Sequence, residues 1–456
     1  MKADSKQSQM ILNGNLWKIM VKLTLPAIVA MGLHGLNVIF DAIFVGKFVG
    51  ELALSGISVA YPLTQIALGF GSMVGAGAGA YLSILIGKND RDTQNKILGN
   101  ANYLGIILTA FLMITLFLTA RPLLSFMGGE GRVLAIALSY FRVTIIGTLF
   151  WFFSLAYNMI IRAEGKMGKA AIIMGLGLVV NIMANYILMV IFHFGVVGAA
   201  WGTNLGMFAS TLLSILYFRS GKTTFQSKVF AIQKDPAIIN RIISLGMPQL
   251  IMVITTLILG IVIFNAIGAV GTDYDLAFYG VSFRIMTFMT MILNAFMRSL
   301  QPVVGMNFGA ENYTRVIRAT KIYIVGSLIV IVPFYLITVL NPQMVLGLMF
   351  EGPVTSENIF NFVIFMSIIP LFTIMMNGMS YFPAIGEAKI AGMLPLLRQV
   401  VLYIPAMIIL TRLFGVQSVY ISAFVIDVLV TVIMVILLGR SFARLRKMMK
   451  SIEPCE

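Results

Sequence analysis

Long apolar stretches alternate with short polar stretches along the whole chain. A helix needs about 20 apolar residues to cross a hydrocarbon core of roughly 30 Å, whereas a transmembrane barrel strand needs only about 9–11. The apolar stretches exceed the strand length, so the pattern predicts an all-α polytopic membrane protein. Twelve transmembrane helices are predicted, at approximately residues 18–45, 54–85, 97–119, 132–160, 170–192, 198–218, 242–267, 276–300, 319–341, 359–385, 390–411 and 418–439.

The composition agrees with this class. The chain is 59% hydrophobic and 11% charged, whereas soluble domains carry about 25% charged residues. The first apolar stretch is long enough to remain as a span, so no cleavable signal is expected. The single cysteine, Cys455, permits no disulfide framework or Cys-based metal site within the chain. His34 and His193 lie in unrelated segments, and no metal site is expected.

The positive charge is unevenly distributed between the two sides of the predicted membrane. With the N-terminus placed inside, the inner segments carry 23 Lys and Arg residues and the outer segments carry four. Inner loops of membrane proteins are enriched in these residues and lie against anionic lipid. Both termini are therefore predicted to be cytoplasmic, with the spans in the plasma (inner) membrane. The net charge of +15 is explained without a nucleic-acid partner.

The second half of the chain repeats landmarks of the first. Three residues recur 222 positions later as similar residues, namely Pro26 as Pro248, Tyr61 as Phe283 and Gly87 as Gly309. Six helices return the chain to its starting side, so both halves enter from the same side and the repeat is parallel. Parallel repeats related by an axis along the membrane normal are an architecture of secondary transporters.

The predicted organisation is thus two six-helix bundles around a central cleft. A cytoplasmic N-terminus (1–17) precedes an N-lobe (18–218), a cytoplasmic inter-lobe loop (219–241), a C-lobe (242–439) and a basic cytoplasmic C-terminus (440–456).

Asp41 is an acidic residue inside the first apolar stretch. A carboxylate at the centre of a membrane helix costs about 2.5–3.5 kcal/mol on insertion scales and normally faces a bundle interior or a wet cavity. Asn37 lies four residues earlier, on the same helix face. An ion or proton site is one interpretation. The alternative is that Asp41 lies near the outer end of the helix, within reach of headgroups and water.

Several motifs resemble the multidrug and toxic compound extrusion (MATE) family, particularly its bacterial efflux members. They are LPAIVAMG and FDAIFVG in the first helix, NMIIRAEGKMGKA after the fourth, FGVVGAAWGT before the sixth, LQPVVGMNFGAEN after the eighth and YFPAIGEAK after the tenth. The resemblance implies a twelve-helix exporter with two pseudo-symmetric lobes. It also implies that organic, cationic or amphipathic compounds are expelled in exchange for inward sodium or protons.

The resemblance also implies an ion site in the N-lobe. Asp41 matches the family's first-helix aspartate, Asn181 its fifth-helix asparagine and Thr203 its sixth-helix threonine. Asn185 stands where many members have a second aspartate, so one of two carboxylates is absent. Both Na⁺ and H⁺ remain possible coupling ions. The alternative role for the asparagines is to join helices by hydrogen bonds.

Four further residues resemble functional positions of the family. Tyr140 and Asn158 in the fourth helix resemble residues that line the N-lobe cavity. Arg398 and Asp427 resemble positions in the last two helices, where they would form a structural pair or close an inner gate. The C-lobe has Ile263 at the position equivalent to Asp41.

The predicted function is therefore secondary-active efflux by alternating access. The glycine-rich run GSMVGAGAGA lacks the Gly-Lys-Ser/Thr ending of a phosphate loop, so an ion gradient rather than a nucleotide is expected to drive transport. A flippase for a lipid-linked precursor is the alternative. No enzyme activity and no cofactor are expected. The expected partners are small organic substrates and the lipid bilayer, and the chain is expected to be a monomer.

Overall fold

The computed structural model describes residues 2–350, 352 and 354–452. Cys455 lies outside the described residues. Within them the chain is helical, without strands, and twelve helical segments are long and apolar enough to cross a membrane. The predicted fold class, an all-α protein with twelve spans, is confirmed. The six spans of the first half are formed by α2 (Leu16–Phe48), α3 (Glu51–Lys88), α4 (Arg91–Phe126), α5 (Gly131–Ala163), α6 (Met167–Asn185) continued by a π-helix (Tyr186–Ile191), and α7 (Gly195–Arg219).

The second half is less regular. Its spans are α8 (Pro236–Val270), α9 (Asp273–Gly309), α10 (Tyr313–Leu340), the pair α12 (Ser356–Met366) and α13 (Ile369–Ala384), the pair α14 (Ala388–Pro395) and α15 (Ile404–Phe414), and α16 (Gln417–Ile452). A π-helix (Leu396–Tyr403) joins α14 to α15, and a short helix α11 (Pro342–Gly347) follows α10. The break before α13 lies next to Pro370 in its first turn, where proline fits a helix start.

The spans alternate in direction and form two six-helix bundles, the N-lobe (α2–α7) and the C-lobe (α8–α16). We call the side that carries the ends of α3, α5, α7 and α9 the terminal face, because the N-terminal helix and the end of α16 lie there. The other side is the opposite face. The exact lobe boundaries at 219–241 stay a prediction.

In the terminal half of the molecule the two lobes touch through glycines. A Cβ atom on Gly77 of α3 would overlap the carbonyl oxygen of Ile242 on α8, and one on Gly246 would overlap the carbonyl oxygen of Met73. Small residues let helix backbones approach this closely in membranes. The glycine-rich run in α3 therefore packs two helices together and closes the cleft at the terminal face.

A second contact of this kind joins α3 to α9, and it follows the internal repeat. A Cβ on Gly87 would overlap the carbonyl oxygen of Met306, and a Cβ on Gly309 would overlap that of Ile84. Gly309 and Met306 are the 222-residue repeats of Gly87 and Ile84. The α3–α9 contact therefore has the pseudo-twofold symmetry that the sequence repeat predicts.

An N-terminal helix, α1 (Lys2–Asn13), crosses this closed face. Gln7 donates from Nε2 to the carbonyl oxygen of Gly165 in the N-lobe, at 2.9 Å. Arg315 of the C-lobe donates to the carbonyl oxygens of Ile11 (3.1 Å) and Gly14 (2.8 Å). The sequence analysis predicted only a polar cytoplasmic segment here, because α1 is too short and polar for a span.

Glu164 fixes the start of the inter-lobe loop to the end of α5. Its buried carboxylate accepts hydrogen bonds from Tyr217 and from the backbone and side chain of Thr224, at 2.6 and 2.8 Å for the latter two. Lys166 forms an ion pair with it at 3.5 Å. Burial raises the pKa of Glu164, and the Lys166 charge and these hydrogen bonds oppose that shift.

Candidate functional site

Asp41 lies about two turns before the opposite-face end of α2. Its carboxylate oxygens accept one amide hydrogen bond each. Asn185 on α6 donates from Nδ2 to Oδ1 at 2.6 Å, and Asn37 on the preceding turn of α2 donates from Nδ2 to Oδ2 at 3.2 Å. The side chain is only half-buried. The structure therefore brings Asp41, Asn37 and Asn185 together inside the N-lobe.

Asn181 and Thr203 complete the polar cluster. Asn181 precedes Asn185 by one helical turn, and its Nδ2 lies 3.4 Å from Oγ1 of Thr203 on α7. The cluster depends on close packing of α6 and α7, because a Cβ on Gly206 would touch the side chain of Asn181. Thr203 also donates to the carbonyl oxygen of Ala199, at 3.0 Å. All five predicted ion-site residues thus lie at the junction of α2, α6 and α7.

Two acceptors in this cluster have no donor. The amide oxygens of Asn181 and Asn185 are buried, and among the described residues no group donates a hydrogen bond to them. Carboxylate, amide and hydroxyl oxygens are the ligands that hard cations prefer. No group of three or more His, Cys, Asp or Glu side chains occurs in the described chain. One negative charge with neutral oxygens suits a proton or a monovalent cation better than a divalent metal.

The two residues predicted to line the cavity are far apart. Tyr140 lies near the opposite face, within electrostatic reach of Asp41. Asn158 lies five turns further along α5, and it is buried and donates from Nδ2 to the carbonyl oxygen of Ala170 at 2.9 Å. Only Tyr140 is therefore close to the Asp41 cluster, and Asn158 joins α5 to α6.

Arg398 and Asp427 form a buried ion pair in the C-lobe. Arg398 donates from Nε to Oδ1 at 2.5 Å and from Nη2 to Oδ2 at 3.1 Å. Tyr403 donates its hydroxyl to Oδ2 at 2.8 Å, and the guanidinium stacks over Phe372, 5.2 Å from the ring centroid. A bidentate pair with a third hydrogen bond is well suited to hold α16 against the π-helix. Its role, structural or gating, stays a prediction.

Asp427→Asn is expected to destabilise the protein by about 3–5 kcal/mol, because it leaves the Arg398 charge buried and uncompensated. The double variant R398M/D427L removes both charges and should recover most of this loss. Thermal unfolding of the purified protein measures both effects. Melting of Asp427→Asn at the wild-type temperature would contradict the prediction. A stable double variant that has lost export would assign the pair to the gate.

A second group of buried charges lies between the lobes, and its two arginines are not among the predicted site residues. Arg162 in the last turn of α5 and Arg298 in α9 line a cavity of about 70 Å3 next to the glycine contacts. The predicted fourth span ends at residue 160, so the sequence places Arg162 among the charges of an inner loop. The structure ends α5 one residue after Arg162 and leaves that arginine only 7% exposed.

Comparison with known proteins agrees with the fold. The MatE family model matches residues 26–187. The multidrug export protein MepA of Staphylococcus haemolyticus is 24% identical over 410 residues, which cover 89% of each chain. MepA of Staphylococcus aureus strain MRSA252 is 25% identical over 88% of this chain and 89% of its own.

A solved structure, described as the outward-facing conformation of a multidrug resistance MATE family transporter of the MOP superfamily, has the same fold. It is 21% identical, superposes with a TM-score of 0.89, and covers 98% of this chain and 99% of its own. The twelve apolar spans of the described residues thus define a polytopic α-helical membrane protein. The chain is therefore similar to MATE multidrug exporters over most of its length, and the family model itself covers residues 26–187.

Proposed function

We propose that this protein is a secondary-active antiporter that exports amphipathic organic compounds in exchange for inward protons or sodium. The observation that carries the proposal is the Asp41 cluster, a membrane carboxylate held by two amides beside two amide oxygens that have no donor. A cation or proton bound there would change the hydrogen bonding between α2 and α6. The relatives named multidrug export proteins support an efflux function.

The two halves of an alternating-access cycle need a gate on each side of the substrate. The glycine contacts between α3, α8 and α9 provide a closed state at the terminal face. An ion drives such a cycle only if it binds the two conformations with different affinity. Asp41 lies in the N-lobe near the opposite face, so that ions would reach it when that face is open.

The charges around the cleft bear on the cargo. Asp41 favours cationic compounds, but Arg162 and Arg298 place positive charge at the inner end of the cleft. Four methionines, Met159, Met252, Met297 and Met379, line the same cavity. Methionine side chains adapt to varied apolar shapes. We therefore propose amphipathic cargo rather than cargo defined by positive charge alone, with the bilayer as its immediate source.

Counterflow in proteoliposomes tests the function. A fluorescent amphipathic compound is loaded inside, and sodium and proton gradients are imposed separately. Export under one gradient and not the other would identify the coupling ion. Export of a lipid-linked precursor without either gradient would instead favour a flippase, which needs a broad cavity for a lipid headgroup. Transport that is independent of both gradients and of Asp41 would contradict the antiport proposal.

The proposed topology, with both termini cytoplasmic, gives a separate prediction. Cys455 is the single cysteine of the chain, so it is a specific target for a membrane-impermeant maleimide. We expect no labelling in intact cells and full labelling after the membrane is permeabilised. Labelling in intact cells would place the C-terminus outside and reverse the assignment of every loop. A fluorescent reporter fused to the C-terminus provides the control.

A further inference from the structure

Two arginines face each other across the junction of the lobes without a carboxylate partner. Arg162 belongs to the N-lobe and Arg298 to the C-lobe, and both line the cavity of about 70 Å3. The ion pairs in the described part of the chain are Lys166–Glu164, Arg398–Asp427 and Arg444–Glu387, and none of them involves these arginines. Ionised side chains inside a membrane protein are normally paired, so this pair needs an explanation.

The surrounding groups satisfy the arginines poorly. Arg162 approaches the sulfur of Met174, with Nη2 and Sδ 3.6 Å apart, and a thioether is a weak acceptor. Nε of Arg298 is buried and has no hydrogen-bond partner among the described residues. Arg298 lies about three turns before the end of α9, so the free carbonyl groups at the end of its own helix do not compensate its charge.

The two guanidinium groups also repel each other, since each lies within electrostatic reach of the other. His34 on α2 lies within reach of both. A single anion between them would relieve this repulsion and accept hydrogen bonds from both planar groups, the geometry in which arginine binds carboxylate, sulfonate or phosphate groups. The two arginines therefore form an arrangement suited to binding an anion, and no Asp or Glu side chain of an ion pair given above occupies that position.

We propose that Arg162 and Arg298 together bind the anionic group of an amphipathic substrate, whose apolar body lies against the methionines of the cleft. This inference rests on the proposed export function and specifies the class of its cargo. The cavity is large enough for a small charged group, because one water needs roughly 10–15 Å3 of such space. It is too small for a whole drug-sized molecule, which needs about 300–1,000 Å3, so the rest of the substrate extends into the cleft.

The position of the site connects substrate binding to the gate. Ala76 and Leu245 line the cavity, and the next residue of each helix, Gly77 and Gly246, makes the closing contact. An anion held by one arginine from each lobe favours the conformation in which the lobes are together. Without it, the repulsion between the arginines favours separation. Binding affinity therefore differs between the two conformations, as alternating access requires.

Equilibrium binding to the purified full-length protein in lipid nanodiscs tests the site without any ion gradient. The probes are 2-naphthalenesulfonate and 2-naphthylmethylammonium, which share a ring system and differ in charge. Empty nanodiscs measure partitioning into lipid. We expect saturable binding of the sulfonate, about ten-fold or more tighter than that of the ammonium, because hydrogen bonds between ionised groups are the strong ones.

Arg298→Gln and Arg162→Gln should each weaken sulfonate binding by about ten-fold or more. Arg284→Gln is the matched control, because Arg284 is an exposed arginine of the same helix α9 that does not line the cavity. It should change the affinity by less than about two-fold. If Arg162→Gln does not fold, the anion site is still tested by Arg298→Gln and by the comparison of the two probes on the wild-type protein.

Tighter binding of the ammonium, or wild-type affinity for the sulfonate in Arg298→Gln, would overturn the proposal. The outcome is separable from the function test. Ion-coupled export of a cation with no arginine-dependent sulfonate binding would remove the anion site and leave the antiporter. Arginine-dependent sulfonate binding without export under either gradient would keep the site and remove the antiporter.

Discussion

Asp41→Asn is expected to reduce ion-coupled export to the background rate while leaving the protein folded in the membrane. The carboxylate is the charged member of the cluster with Asn37, Asn181, Asn185 and Thr203. An amide has nearly the same shape and costs less to bury than a charged group, so stability should not fall. It takes up no proton near neutral pH, and it has no negative charge to attract a cation. Neither ion then favours one conformation over the other, and the gradient no longer drives the cycle.

The measurement is export from proteoliposomes under separate sodium and proton gradients, with thermal unfolding as the test of folding. Asp273→Asn is the matched control, because Asp273 is an exposed aspartate in the first turn of α9, at the same face but in the other lobe. It should export at the wild-type rate. Undiminished export by Asp41→Asn would mean that the coupling site lies elsewhere.

The symmetry of the scaffold does not extend to its chemistry. The α3–α9 contact follows the 222-residue repeat, because Gly87 meets Met306 and Gly309 meets Ile84. At the position equivalent to Asp41, however, Ile263 is buried in the apolar core of the C-lobe. The charged pair of the C-lobe, Arg398 with Asp427, is neutralised internally. This division supports the proposal that ions bind in the N-lobe.

The spans could be predicted from the sequence because hydropathy measures the cost of placing a segment in lipid. The residues at which the helices begin and end were less predictable. The segment predicted at 242–267 is part of a helix from Pro236 to Val270, because helices continue into the headgroup region, where polar residues are tolerated. The break between α12 and α13 has a signal, Pro370, which the hydropathy pattern does not use. The two π-helices have no comparable signal in a single sequence.

The candidate site was predictable only in part. Asn37 and Asn185 can be placed by helical spacing relative to Asp41 and Asn181, but the contact between α2 and α6 came from the family resemblance. Arg162 and Arg298 were not identified as a pair, since they are 136 positions apart in sequence. Arg162 also looks like a loop residue. Their proximity depends on how the two lobes dock, and no local pattern encodes that.

Gly246→Ala is expected to open the terminal face. The new Cβ would overlap the carbonyl oxygen of Met73, and backbone atoms cannot move aside as a flexible side chain can. Overpacking of this kind costs typically about 1–3 kcal/mol. That cost falls only on the conformation in which α3 and α8 are in contact. An energy change of this size shifts the ratio of the two states by about 5–150-fold, so the open state should gain population at the expense of the closed state.

Distances between spin labels on the two lobes measure this shift. Asp92 on α4 and Lys389 on α14 are exposed at the terminal face of the N-lobe and C-lobe respectively, and both are replaced by cysteine in a Cys455→Ser background. Gly260→Ala is the matched control, because Gly260 lies on the same helix α8 and its Cβ would meet nothing within 4 Å. Gly246→Ala should lengthen the distance by several ångströms and slow export, whereas Gly260→Ala should leave both unchanged. Identical distances in the two variants would show that the α3–α8 contact is permanent packing, and the gate would then have to lie outside the glycine contacts.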